Sequence, residues 1–417
     1  MPLKGRAFRN SAVRSKVLGA QIARLRASAS FFQKNFAVAP IAHAKKCKNF
    51  NFFSNFFQIF VFFLPNESIL IVKAAKNFRD TGPRKIIFGE IMKNSFLFIL
   101  VASLFISCNL NPGTENKKNQ KNISFSAATW NLQEFFDSNT QGCEYKEYQN
   151  TAKWTKEKYY ERLERTCSVI KTINADVYFF EEIENESVLY DISNQLAGNS
   201  WNSSKNWNYA CFAKEEGSAI GNAIVSKFPL SEVKTHCIDI RTQENAQPSV
   251  RPVLQATLEV KGKTVTLFSC HWKSKSGGEA ESEIWRDWQE FSVANQISKN
   301  SGPFILAGDF NRSAEDFVTD FSGSENQNTI FRGFEIIKIY NPFFLPDGTF
   351  STQSGTYYYK NFWERIDNFF CSPDVEISNF RPETGTWTDE NCLPVPYSIY
   401  SRKGYSDHLP LVCTVNL

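Results

Sequence analysis

The sequence predicts an α/β sandwich with mixed sheets, and three observations predict it. Short apolar runs that end on polar or acidic residues interleave with stretches of helical spacing. A hairpin signal also occurs, at residues 253–271 around the Lys261-Gly262 turn, which a doubly wound parallel sheet would not need. No repeat of fixed short period runs through the chain, whose 417 residues can hold two average domains or one large α/β domain.

The elements follow in order. Ile123, Phe125 and Ala127 alternate with small polar residues, a strand expected to end at Trp130-Asn131. Residues 157–173 place Leu163, Cys167, Ile170 and Ile173 on one helical stripe. Residues 176–180 form an apolar strand closing on Glu181-Glu182, and residues 221–226 form another. The second strand of the hairpin, 265–270, runs into His271. Residues 283–299 are amphipathic, with Trp285, Trp288, Phe291 and Ile297 available for burial. Three more strands are expected at 303–307, 365–371 and 409–415.

The first hundred residues differ from the rest. They are basic, carry a tract rich in Asn and Phe, and contain the chain's two methionines, Met1 and Met92. After Met92, Lys93-Asn94 leads into an apolar run over 95–106 and then Ser107-Cys108. This is a positive start, a short hydrophobic stretch and a small residue before cysteine. The run is short for a membrane span and reads as a secretory signal. It resembles a bacterial lipoprotein signal with Phe105-Ile106-Ser107-Cys108 as a relaxed lipobox, although Phe105 stands where Leu is usual. The resemblance implies cleavage before Cys108, lipidation of that thiol and a membrane partner. The expected division is an upstream extension over 1–91 with Met92 as the start, a signal over 92–107, a polar tether over 108–122 and a catalytic domain over 123–417. The alternative is a genuine N-terminal region with a hydrophobic hairpin over 50–72 and 95–107.

Charge follows the same division. Residues 1–107 hold 17 Lys and Arg against 3 acids, which leaves 30 basic and 40 acidic residues downstream. An acidic body argues against tight nonspecific nucleic-acid binding through a broad basic face. It leaves room for a hydrolase that grips a few phosphates. Of ten cysteines, Cys47 and Cys108 precede the domain. The eight downstream could oxidise in an exported protein, with buried free thiols at Cys270, Cys371 and Cys413 as the alternative.

The chemistry gathers at strand ends. Gly308-Asp309-Phe310-Asn311 follows an apolar run, and the i, i+2 spacing lets Asp309 and Asn311 point the same way. A carboxylate there could activate water and an amide could donate to a phosphoryl oxygen; an Asx turn is the structural alternative. Asp407-His408 precedes another strand. Asp367, among apolar neighbours, needs a partner: His408 is one candidate and Arg365 the other. Glu181 or Glu182 could hold a metal at the end of its strand. His271 closes a strand and could equally be a satisfied buried histidine, as His236 is expected to be.

Trp130-Asn131, residues 180–185 (Phe-Glu-Glu-Ile-Glu-Asn), His271-Trp272-Lys273-Ser274, Gly308-Asp309-Phe310-Asn311, Arg365-Ile366-Asp367 and Ser406-Asp407-His408 occur in the order seen in the endonuclease/exonuclease/phosphatase superfamily. Residues 123–417 resemble that superfamily throughout. The resemblance implies a four-layer αββα sandwich with two mixed sheets and the site at one end of them. It implies Glu182 as principal metal ligand with Asn131 beside it and Asp407 near the metal. Asp309 would act on the attacking water, Asn311 would hold the phosphate, and Asp367 would orient His408. Arg251 falls where many members place a phosphate-contacting arginine. Glu181 stands where Gln is common. His271 sets the chain apart from apurinic endonucleases and beside deoxyribonuclease-, sphingomyelinase- and 5-phosphatase-like members.

The expected activity is that of an exported Mg²⁺-dependent phosphodiesterase, with Mn²⁺ or Ca²⁺ as other candidate ions. His271 would protonate the leaving oxygen, and His408 would act on water or phosphate. Nucleic acid is the leading substrate. The alternatives are a sphingomyelinase-like phospholipid hydrolase, with Trp201, Trp207 or Trp285 dipping into an interface, and a non-catalytic surface-binding lipoprotein.

Overall fold

Two sheets stack face to face in the computed structural model, which describes residues 123–198, 206–238, 250–320 and 328–417. The signal, Cys108, the tether and Trp201 lie outside the described residues. The first sheet has six strands. It is built from β1 (Ser124–Phe135), β2 (Val177–Ile183), β3 (Tyr209–Ala213), β4 (Gly221–Ser226), β15 (Glu376–Pro382) and β16 (Leu411–Asn416), in the order β15-β16-β1-β2-β4-β3. The second has eight strands: β5 (Leu230–His236), β6 (Val253–Val260), β7 (Lys263–His271), β8 (Phe304–Asp309), β9 (Thr319–Asp320), β10 (Asn328–Arg332), β11 (Ile336–Tyr340) and β14 (Asp367–Cys371). Their order is β5-β6-β7-β8-β14-β11-β10-β9. Both are mixed, since β1–β2 and β7–β8 are parallel pairs among antiparallel ones.

Helices close the two outer faces. Between the sheets, Phe125, Ala127, Val177, Phe179 and Ile224 meet Leu254, Leu267, Ile305, Ala307 and Phe369. The alternate residues Trp130, Tyr178 and Phe180 face outward onto α1 (Lys156–Ile173) and α2 (Glu186–Ala197). Phe268, Leu306 and Phe370 face the other way onto Val293, Ala294 and Ile297 of α3 (Glu279–Ile297). Period-two alternation thus gives each central strand two buried faces, each large apolar side chain contributing about 1.5–3 kcal/mol. The four-layer αββα sandwich is the architecture.

Three details depart from the expected elements. The β1 strand runs on to Phe135 rather than ending at Asn131. Helix α2, capped by Asn185, whose side chain accepts from Val188 N at 3.1 Å, was not anticipated. The core face of α3 carries Arg286, Gln289 and Glu290 beside Val293, Ala294 and Ile297, while Trp285, Trp288 and Phe291 are only half-buried. The polar face is turned inward because those side chains hold loops that carry the site, as described below. Trp207 is buried and donates its ring N–H to Ala175 O, so it is no interfacial aromatic. The eight described cysteines are free thiols, with Cys270, Cys371 and Cys413 among the buried ones.

Candidate active site

One row of the second sheet brings three of the expected residues together. His271 on β7 is in register with Asp309 on β8, and Asp309 with Asp367 on β14. The side chains therefore share a face, and His271 Nε2 lies 3.6 Å from Asp309 Oδ2. Close approach of β8 to β7 needs Gly308: its φ is +142°, and a Cβ there would lie 1.9 Å from Cys270 O. Asp309 uses its two oxygens differently. Oδ1 accepts from Asn311 N at 2.8 Å, closing an Asx turn, while Oδ2 faces the two imidazoles. The turn and the site are thus both present. Asn311, with φ +47°, donates Nδ2 to Trp272 O at 3.1 Å, which ties the two strand exits together.

Asp367 is fully buried and takes His408 rather than Arg365 as partner: Oδ2 and His408 Nδ1 are 2.8 Å apart. Arg365 instead bonds Thr352 O and Gln353 O and lies 3.8 Å from Glu315. With Nδ1 engaged, His408 turns Nε2 toward Asp309 Oδ2 at 4.0 Å. Burial opposes charge on His408, but Asp367 outweighs it and holds the ring's pKa well above the ordinary range. His271 is the opposite. Burial first, then Arg251 and His408, hold it well below that range. Burial and the neighbouring Asp367 raise the Asp309 carboxyl to about 7.

The first sheet supplies its side of the site through irregular backbone. Between the pairs Glu181–Asn222 and Ile183–Gly221, β2 carries one extra residue, Glu182, with φ +63°. This bulge swings Glu182 toward β1 and leaves Glu181 buried, bonded to Thr129 Oγ1 at 3.0 Å. Burial, with Asp367 and Asp309 nearby, pushes the Glu181 carboxyl well above the ordinary carboxylate range. On β1, Gln133 and Glu134 also have positive φ, at 53° and 54°. Glu134 N donates to Glu182 Oε2 at 2.6 Å. Asn131 spans the gap between sheets: Nδ2 donates to Glu182 Oε1 at 3.2 Å and to Asp309 Oδ2 at 3.0 Å, and Oδ1 accepts from Gln133 N. His271 Nε2 is 3.9 Å from Glu182 Oε1, so Glu182, Asn131, Asp309 and both histidines form one continuous cluster.

Two arginines that motif reading missed hold this cluster from behind. Buried Arg162 of α1 donates to Leu132 O at 2.7 Å, to Glu134 O at 2.9 Å and to Gln133 O, pinning the strained turn that orients Glu182. Buried Arg312 binds Glu290 at 2.6 Å, Asp287 at 2.7 Å and Glu283 at 2.8 Å, all on α3. From the same helix, Arg286 donates to Lys273 O and Gln289 accepts from Lys273 N. Arg251 is half-buried beside the cluster, where its charge acts on the Tyr145 phenol and on His271. Asp407 is half-buried and acts electrostatically on Glu182 and His408. His236 is remote, paired with Gln255 at 2.7 Å on β5–β6.

The donors fit a hard divalent ion. Glu182, Asp407 and neighbouring Glu134 present carboxylates, Asn131 turns its Nδ2 to Glu182 while its oxygen is held by Gln133 N, and among the described residues no thiol joins them. Oxygen donors of this kind suit Mg²⁺, Mn²⁺ or Ca²⁺ over softer ions.

A family model described as the endonuclease/exonuclease/phosphatase family matches residues 128–408, more than half of the chain. The chain belongs to that family, whose members hydrolyse phosphoester bonds and are generally dependent on divalent metals. No curated protein matches the sequence. Among solved structures, an endonuclease/exonuclease/phosphatase family protein from Bacteroides thetaiotaomicron is similar at 16% identity and TM-score 0.45, covering 71% of this chain and 99% of its own. Truncated TDP2 from Caenorhabditis elegans is similar at 15% identity and TM-score 0.44, covering 70% and 98%. A mannosyl-6-phosphatase from Bacteroides thetaiotaomicron is similar at 15% identity and TM-score 0.43, covering 70% and 99%.

Proposed function

We propose, from that family membership and the arrangement of the site, that the chain is a Mg²⁺-dependent phosphodiesterase acting on nucleic acid. The observation that carries the reading is the Asp367–His408 pair at 2.8 Å facing Asp309, which Asn131 joins to Glu182 across the two sheets. Asp309, Asp367 and His408 have ligand atoms within 4.8 Å of one another, but Asp367 is committed to His408 Nδ1. That trio is therefore read as proton-handling, and the cation is assigned to Glu182 and Asp407, with Asn131 alongside orienting both Glu182 and Asp309.

A bound Mg²⁺ would neutralise charge developing on the phosphoryl oxygens. The protein's own groups do the rest. Asp309 holds or deprotonates the attacking water through Oδ2. His408, held by Asp367 at Nδ1, presents Nε2 to the phosphate. Arg251 and the Asn311 amide hold the non-reacting oxygens, and His271 serves the leaving oxygen from the opposite side of Asp309. Residues 92–108 support export with lipidation at Cys108, which Cys108→Ser would test by releasing the protein from the membrane fraction.

The test is parallel hydrolysis of plasmid DNA, RNA and sphingomyelin with Mg²⁺ and with EDTA. Metal-dependent nicking lost in Asp309→Ala is the expected result. Phosphocholine release without nicking would replace nucleic acid with a phospholipid. Near-native rates in both His271→Ala and His408→Ala would overturn the proton assignments.

A further inference from the structure

A third, two-stranded sheet stands beside His408. Strands β12 (Tyr357–Tyr359) and β13 (Phe362–Glu364) are joined by Lys360 and Asn361, at φ 48° and 68°. Positive φ at both central residues is the mark of the tight hairpin turn whose twist matches the strands, so the finger is preorganised. Its base is fixed to the site. Tyr357 bridges His408, Leu409 N donates to Thr356 O at 2.7 Å, and Glu364 binds Lys275 at 2.7 Å.

The two faces of the finger differ. Cross-strand partners are Tyr357–Glu364, Tyr358–Trp363 and Tyr359–Phe362, and partners share a face. Tyr358 and Trp363 pack edge to face, and Trp363 joins the outer core. The opposite face continues the site: the His408 and Tyr357 rings are 4.8 Å apart, and Tyr357 stacks with Tyr359 at 6.1 Å and 21°. At the tip, Tyr359 is 49% exposed and Phe362 is 73% exposed, and Lys360 Nζ lies 5.0 Å from the Tyr359 ring. Rings of this size so exposed on a preorganised finger leave open apolar surface beside reacting groups.

We propose that the Tyr357, Tyr359 and Phe362 face is a stacking subsite for a nucleobase flanking the scissile phosphate, with Lys360 meeting the next phosphate. The inference rests on the nuclease reading and deepens it. The column of rings begins at His408, so a base stacked on it is tethered to the phosphate that His408 faces. The charge balance argues the same way. With 40 acids against 30 bases beyond residue 107, the body draws little affinity from a broad phosphate-binding face, whereas stacking is indifferent to net charge and tolerant of sequence.

Binding to fluorescent octanucleotides in EDTA, by anisotropy with the full chain, separates the subsite from catalysis. Oligothymidylate is expected to bind about ten-fold or more tighter than an abasic strand of the same backbone. Tyr359→Ala/Phe362→Ala should abolish that preference and leave abasic binding unchanged, while Tyr359→Phe should retain it. With Mg²⁺, the double variant should raise KM for oligothymidylate by about ten-fold and leave kcat within about two-fold. Equal binding of the two strands by the wild type, or a double variant that still prefers thymidylate, overturns the proposal. So does capture by phosphatidylcholine vesicles that needs these rings while oligonucleotide binding does not, since the finger is then a membrane wedge. Base-dependent binding without cleavage by any form would leave the subsite standing and remove the nuclease reading.

Discussion

The two sheets build their halves of the site by opposite means. The eight-stranded sheet uses in-register pairing: His271, Asp309 and Asp367 are neighbours in one row, with Gly308 letting β8 close on β7. The six-stranded sheet uses irregularity: Glu182 sits on a bulge at φ +63°, opposed by two consecutive left-handed residues, Gln133 and Glu134. Regular pairing places proton-handling groups that must keep fixed distances to one another. A bulge re-aims a single carboxylate out of the pleat, toward the partner sheet, as Glu182 requires. Left-handed non-glycine backbone is uncommon and needs surrounding support, and buried Arg162 supplies it through three carbonyls.

The comparison breaks most visibly in the regular row. Asp309→Asn and Asp367→Asn should each lower kcat by about 10²–10⁴-fold, measured as plasmid nicking or with an activated phosphodiester. The fold should survive, because an amide is isosteric with the carboxylate. In Asp367→Asn, the rise of His408's pKa should also vanish, visible as a shift of its ring resonances to titration at lower pH. A kcat within a few-fold of wild type for either variant would remove the row from the chemistry.

Arg162→Ala tests the irregular half. It leaves three carbonyls without their donor and frees the turn that bonds Glu182 Oε2. Mg²⁺ should be needed at about 10–100-fold higher concentration, with a smaller change in saturated kcat. A metal titration that matches the wild type would show that the bulge holds itself. Arg312→Ala is the matching cut behind the regular half. Removing the guanidinium leaves Glu290 buried without its main partner and should cost about 3–5 kcal/mol in urea unfolding. Because the row is fixed by strand pairing, kcat should change by less than about ten-fold.

Legibility in the sequence divides along the same line. Asp309, Asn311, His271 and Asp367 were readable because each ends or opens an apolar run, and strand periodicity then fixes the direction of the side chain. The layers were readable from the same alternation. Glu182 could be named by resemblance, but spacing did not separate it from Glu181, because the bulge that distinguishes them is a tertiary fit between β1, β2 and β4. Arg162 was invisible for a related reason. It lies on a helix whose apolar stripe explains its burial, and nothing local records that its guanidinium reaches carbonyls about 30 residues away. The polar inner face of α3 misled a reading that assigns aromatics to the core: Arg286 and Glu290 are inside because they have partners there. The aromatic finger at 357–364 carries ordinary strand residues, and its place beside His408 follows only from the fold.

The smallest expected effect lies just beyond the bulge, at Glu184. Its carboxylate accepts from Asp137 N at 2.6 Å and lies near the Asp137 and Glu144 carboxylates. Burial foremost, aided by those acids, raises its pKa from 4.5 to about 8. The folded protein therefore holds a proton there that the unfolded chain has lost once pH exceeds about 4.5. Stability from this group is full below that pH and falls as pH rises toward 8, the reverse of a salt-bridged acid. Glu184→Gln keeps an oxygen for Asp137 N and removes the titration. In thermal unfolding with EDTA, its Tm should match the wild type near pH 4.5 and exceed it by a few degrees near pH 8. Since His271, Asp309 and Asp367 belong to the other sheet, the same substitution should leave the pH profile of kcat unchanged. A shifted kcat profile would mean that the irregular half carries strain into the row, and that the two halves are less independent than their backbones suggest.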